Sequence, residues 1–362
     1  MAATATRSRF ETIADKVLNH QRITADEALA LYHHANLPEL ALLANHVRMH
    51  KVPEQRVTYI VGRILNYTNV CWVRCKFCAF YRVPGHDEGY LLSDEEILSK
   101  VQDTVDKGGI EILFQGGLNP KLKIDYYEGI FSKIMARFPN VILHALSPAE
   151  IIYIAHISKL KLEDCLARLK AAGLHSIPGA GGEILVDRVR KIIAPYKDTT
   201  DEWLACMRAA SAQGIRSTAS MMFGHVETLE DRVEHMGRIR DLQDECAPFR
   251  AFISWNFQPE DTDLVIPHKA GASDYLRNVA VSRIFLDNIE HFQVSILTQG
   301  PKIAQVALGY GADDFGSIMI EENVVSAAGS KHIISAEEFE RAISDAGYEP
   351  RRRNTRYEVI EA

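Results

Sequence analysis

The chain has 362 residues, 47% hydrophobic and 25% charged, which suits one large α/β barrel or two modest domains and excludes a disordered chain. Its formal net charge of -7 gives no reason to expect nucleic acid as a partner, and no apolar run reads as a signal peptide or spans a bilayer, so membrane insertion is not expected. The expected setting is the cytoplasm, where thiols stay reduced, so the six cysteines do not read as a disulfide framework.

Residues 1–56 read as a helical arm, with apolar positions at Ile13, Val17, Leu29, Leu31, Leu40, Leu43 and Val47 and punctuation at Pro38 and Pro53. From Val57 the pattern changes to short apolar segments separated by helical stretches. Strands are expected at Thr58–Leu65, Ile110–Phe114, Val141–Leu146, Leu174–Ile177, Arg216–Phe223, Ala251–Phe257, Gln293–Leu297 and Asp313–Met319. Eight strands with helices between them predict a (β/α)8 barrel over residues 57–325. Ser93 with Glu96, Thr199 with Glu202 and Ser335 with Glu338 have capping-box spacing, and Gly108, Gly173 and Gly214 fall where helices should end. Residues Pro148–Ala172 hold two possible helices. Residues 326–362 read as a terminal helix (Ala336–Ala346) and a short extended tail (Tyr357–Ile360) packed on the barrel. The basic run Arg351–Arg353 reads as a solvated face or as local pairs with nearby acids.

Cys71, Cys75 and Cys78 are packed into one segment, Asn66–Arg82, directly after the first barrel strand. Thiolates are soft ligands that select zinc or iron–sulfur clusters over hard cations. Cysteines spaced by three and two residues wrap one compact centre and leave one coordination position without a protein thiolate. A structural zinc site would close with a fourth ligand, for which His86 is the nearest histidine, and a zinc ribbon would bring a second ligand pair, which is not visible. In an iron–sulfur cluster the open iron is a place for a ligand to bind. A loop at the C-terminal end of a barrel strand also faces the active-site mouth. Cys165, Cys206 and Cys246 lie in helix-like segments and read as small buried hydrophobes.

This spacing, with Phe77 just before the last cysteine, resembles the radical S-adenosylmethionine (SAM) superfamily. The resemblance implies a 4Fe–4S cluster on Cys71, Cys75 and Cys78, whose open iron chelates SAM and whose electron releases a 5′-deoxyadenosyl radical. It also implies that Phe77 and the segment Gln115-Gly116-Gly117 belong to the cofactor site. That segment would meet the methionyl amino group through backbone, because Leu118 stands where the superfamily commonly has an acid. Gly224, His225 and Val226 would reach the adenine. Glu183 follows Gly179, Gly181 and Gly182, glycines that permit close approach, and is placed to accept ribose hydroxyls or to favour the start of the next helix. His144, Ser147, Asn256 and Gln258 are polar groups on otherwise apolar strand ends and are expected to contact substrate. The acids at Asp313 and Asp314 read either as a proton acceptor or as a capping cluster.

The blocks NYTNVC, CKFCAFYR, FQGGLNP, IPGAGGEILVDRVR, MMFGHVET, SWNFQP and GADDFGSIMIEENVVSAAG, in order over residues 57–330, resemble the cyclic dehypoxanthinyl futalosine synthase family of menaquinone biosynthesis. The resemblance implies cyclisation of dehypoxanthine futalosine. Hydrogen is taken from ribose carbon 4′, the sugar radical attacks the benzoate ring, and loss of one electron and one proton restores aromaticity. Tyr81, Glu183 and Asp314 are the candidates for the proton, and Arg82 or Arg188 for the benzoate carboxylate. A flavodoxin or ferredoxin would serve as reductant. The nearest alternatives are sibling enzymes, aminofutalosine synthase and the deazaflavin-forming synthase subunit.

Overall fold

The computed structural model describes residues 2–329 and 334–360, with side chains from Arg9 onward. Its strands run in chain order as β1 (Arg56–Leu65), β2 (Glu111–Phe114), β3 (Ile142–Ala145), β4 (Leu174–Ile177), β5 (Arg216–Phe223), β6 (Phe249–Asn256), β7 (His291–Gln293), β8 (Asp314–Met319) and β9 (Glu349–Arg352). Each of the first seven pairs in parallel with the next, and β8 pairs in parallel with β1, so the sheet closes into the expected (β/α)8 barrel. Parallel strands are covered on both faces and therefore read as near-continuous apolar runs. In β1, eight of ten residues are buried.

Local signals agree with this arrangement. The capping boxes at Ser93, Thr199 and Ser335 are all formed, each hydroxyl accepting from the N–H three residues on while the glutamate reaches back. The third connection holds both helices, Pro148–Ser158 and Leu162–Ala172. The arm forms α1 (Ala2–Leu18), α2 (Ala25–His34) and α3 (Leu37–Lys51). It is tied to the barrel by the Tyr32 hydroxyl, which donates to Asn278 Oδ1 at 2.7 Å, and by the buried Arg48 guanidinium, which donates to the Ala312 and Arg56 carbonyls.

Two elements differ from expectation. The seventh strand is His291–Gln293, not Gln293–Leu297: the Ser295 N–H turns to the Tyr275 hydroxyl at 2.8 Å, and Ile296 opens a helical stretch that breaks at Gly300 (φ 76°) and resumes to Ala307. The tail carries a ninth strand. β1 is longer than β2, pairing with it only over Gly62–Leu65, so the edge at Arg56–Tyr59 would leave backbone groups without partners; β9 pairs with that edge in parallel. The residues after β9 then pass beneath the N-terminal ends of the strands, where Arg353 and Thr355 are buried.

Candidate active site

The cysteine loop is held by backbone. Cys71 N–H donates to the Arg82 carbonyl (2.8 Å), Arg82 N–H to Asn69 (2.8 Å), and Lys76 N–H to Ile193 (2.8 Å). Gly116 and Gly117 lie directly against this loop. A Cβ on Gly117 would stand 2.3 Å from the Val70 carbonyl oxygen, and one on Gly116 would stand 2.7 Å from the Tyr67 ring. The paired glycines thus answer first to the protein's own chain, which presses on them from the cysteine side, and both also line the cavity below.

That cavity has a volume of about 460 Å³ and runs down the barrel interior. Its wall includes all three thiols of the loop, with Phe77, Tyr81, Gln115, His144, Ser147 and Glu183. The thiols are not joined in disulfides. Burial raises the pKa of each above the ordinary thiol value, and the Lys197 ammonium pulls each one back down. Among the described residues no three or more His, Cys, Asp or Glu side chains gather closely enough for a single metal ion. The three thiols instead share the wall of a roomy cavity, which fits a cluster that takes one thiolate on each of several irons.

Glu183 adopts a left-handed backbone (φ 32°), is buried, and faces two cations: Lys197 Nζ at 2.9 Å and Arg190 at 3.8 Å. Lys197 also lies 5.6 Å from the centre of the Phe77 ring, linking the carboxylate to the residue before the last cysteine. Neither cation was singled out by sequence. Lys197 sits in an irregular stretch between two helices with no motif around it. Arg190 lies inside the IPGAGGEILVDRVR block but two positions after the arginine expected to act.

Arg188 is half-exposed, pairs with Asp231, and does not line the cavity. Arg190 is buried and donates to the Gly181, Gly182 and Asp198 carbonyls and to the Asp198 carboxylate. Arg190→Ala is therefore expected to cost about 3–5 kcal/mol of stability by stranding the buried Asp198 carboxylate, and Arg188→Ala less than about 1 kcal/mol. Urea unfolding would distinguish the two, and equal losses would contradict the difference in burial.

The other expected contacts divide. Ser147 caps the helix Pro148–Ser158, and Glu150 there accepts from Ser147, from the Tyr67 hydroxyl and from Gly116 N–H, so this buried acid ties the cysteine side to β3. His144 lines the cavity with Nδ1 2.7 Å from Ser176 Oγ. Gly224, His225 and Val226 lie beyond the end of β5, where Glu227 accepts from the N–H groups of Gly224 and His225; they are not part of the cavity wall. Asn256 donates to the Ala270 carbonyl and accepts from Gln299, while Gln258 donates to the Asn256 carbonyl; neither lines the cavity. Arg82 is engaged with Glu88. Asp314 is the first residue of β8, at the end of the barrel opposite the cysteines, and its carboxylate accepts from Arg353, Thr58 Oγ1 and Gly316 N–H. The structure gives it the part of an anchor for the tail and does not bring it to the cysteines.

A family model described as the radical SAM superfamily matches residues 65–239, and one described as the CofH/MqnC C-terminal region matches residues 246–362. The chain is 46% identical to the cyclic dehypoxanthine futalosine synthase of Halalkalibacterium halodurans, over 97% of this chain and 95% of that protein. The chain belongs to the cyclic dehypoxanthine futalosine synthase family of radical SAM enzymes. The protein of that name from Streptomyces coelicolor is 44% identical over 98% of this chain and 90% of its own length. The aminodeoxyfutalosine synthase of Thermus thermophilus is 37% identical over 97% of this chain and 96% of its own. In fold the chain resembles methylornithine synthase, with a TM-score of 0.74 over 93% of this chain and 97% of that one at 16% identity. The cofactors of the family are a 4Fe–4S cluster and SAM, and the residues of the cavity suit both. Among the described residues no helix is long and apolar enough to cross a membrane.

Proposed function

We propose that this chain converts dehypoxanthine futalosine to cyclic dehypoxanthine futalosine in the futalosine route to menaquinone. The observation that carries the reading is the common cavity: the thiols of Cys71, Cys75 and Cys78, the Gln115–Gly117 segment and Glu183 all open on it, in a chain 46% identical to a synthase of that name. When bound, the cluster and SAM supply the radical that removes hydrogen from ribose carbon 4′.

The chain's own residues perform the positioning. Phe77, Gln115, Gly116, Gly117 and Glu183 hold SAM, with Lys197 and Arg190 fixing the Glu183 carboxylate. Gly224, His225 and Val226 stand outside the cavity wall at the end of β5, with their N–H groups taken by Glu227 and His225 Nδ1, so a contact with the adenine edge would come through their carbonyls or side chains. His144 on β3 and Ser147 just beyond its end reach the substrate, and Thr218 and Ser220 on β5 offer hydroxyl oxygens to the sugar. Ile60, Ile64, Leu113, Val294 and Ile296 give the cavity apolar walls that exclude water and stray hydrogen donors, while holding the aromatic ring against the sugar at bonding distance. A flavodoxin- or ferredoxin-type carrier in the cytoplasm supplies the electron, and neither nucleic acid nor membrane takes part.

Reduced enzyme incubated with SAM and dehypoxanthine futalosine is expected to form a product lighter by two hydrogens, read by mass spectrometry. Turnover of the enolpyruvyl ether of 3-hydroxybenzoate in its place would move the chain to aminodeoxyfutalosine synthase.

A further inference from the structure

We infer that His144 takes the proton released when the cyclised ring becomes aromatic again. The inference rests on the cyclase reading and goes beyond it in naming the acceptor. Ring closure leaves a substrate-centred radical on the former benzoate ring, still carrying hydrogen at the carbon that was attacked. The C–H bond there breaks, its proton goes to His144 Nε2, and one electron passes to a one-electron iron–sulfur acceptor. The remaining electrons complete the aromatic sextet.

The acids that line or approach the cavity are already engaged. Glu183 holds Lys197, and Glu150 accepts from Ser147, Tyr67 and Gly116. Glu111 accepts from Thr355 Oγ1 at 2.5 Å, Glu322 accepts from the N–H groups of Val324, Val325 and Ser326, and Asp314 is bound by Arg353. Tyr81 lines the mouth but is a poor base, since burial and the neighbouring Asp263 hold its phenol proton on.

His144 differs on three counts. It lies on the cavity wall and is buried. Its Nδ1 lies 2.7 Å from Ser176 Oγ on the adjacent strand; with Nδ1–H donating to that oxygen the ring is set and Nε2 carries the lone pair that takes the proton. Burial lowers its pKa, joined by the Arg353 and Arg250 charges and opposed by Glu111, so the ring is neutral and able to accept.

The test uses His144→Gln in full-length reconstituted enzyme with substrate deuterated at ribose carbon 4′. Transfer of deuterium into 5′-deoxyadenosine should persist within about threefold, while cyclic product per deoxyadenosine falls about 100-fold, the lower end for loss of a general base. A substrate radical should then accumulate in the electron paramagnetic resonance spectrum. Unchanged product per deoxyadenosine would overturn the inference. So would joint loss of deuterium transfer and product in a variant that keeps its cluster absorbance, because His144 would then only seat the substrate. If wild-type enzyme transferred no deuterium from this substrate, the cyclase reading itself would fall.

Discussion

Replacing Cys75 with alanine is expected to give a folded protein that no longer turns brown on anaerobic reconstitution with iron and sulfide. Its 5′-deoxyadenosine output should fall on the order of 10³-fold or more, because the cofactor carries the difficult step and the protein cannot supply it otherwise. Folding should survive because the loop does not depend on its thiols. Its register comes from backbone bonds between Cys71 and Arg82, Lys76 and Ile193, and Gly117 and Thr68. Cys165→Ala and Cys206→Ala are the controls. Both side chains are fully buried among apolar neighbours, so their loss lowers stability and leaves iron content unchanged. Iron and sulfide assays with visible absorbance read the difference. A Cys75→Ala protein that still assembles the cluster and splits SAM would remove the basis for the catalytic reading, and colourless wild-type protein holding one zinc would replace it with a structural one.

What could be read in advance follows how local each signal is. The cysteine spacing is local, as are the capping boxes and the glycines around Glu183, and all of these stand where the sequence put them. Buried parallel strands of four or more residues also announce themselves as apolar runs. β7 is three residues long and followed by the apolar opening of a helix, so its boundary slid forward. β9 reads Glu-Pro-Arg-Arg, with no apolar periodicity, and exists because β1 offers it an unfilled edge. The choice between Arg188 and Arg190 depends on which face of a seven-residue helix turns inward, and two residues of slippage move a side chain from the buried acids Glu183 and Asp198 to the surface. Lys197 was beyond reach because only the folded chain brings it to Glu183. The position of Asp314 was within reach: in a parallel barrel the chemistry gathers at the C-terminal strand ends, and Asp314 opens its strand.

Arg353→Ala is expected to cost about 3–5 kcal/mol of stability, the loss typical of stranding one partner of a buried ion pair. Arg353 and Asp314 are both buried, and the guanidinium meets the carboxylate through two donors, Nε at 2.5 Å and a terminal nitrogen at 3.0 Å. Removing the arginine leaves a charged carboxylate in the barrel floor with only Thr58 and Gly316 as partners. The run of three arginines is thus not uniform. Arg351 is half-exposed and pairs with Glu349 on its own strand, so Arg351→Ala should cost less than about 1 kcal/mol. The pair Arg353→Met with Asp314→Asn should recover most of the loss, since no buried charge remains. Urea unfolding at constant slope separates these cases. A fall below about 1 kcal/mol for Arg353→Ala would mean that the tail does not anchor the floor. Because Arg353 also lines the cavity, a destabilised but folded variant should keep its cluster while binding substrate more weakly. The C-terminal segment then closes the same chamber whose other end the cysteines occupy.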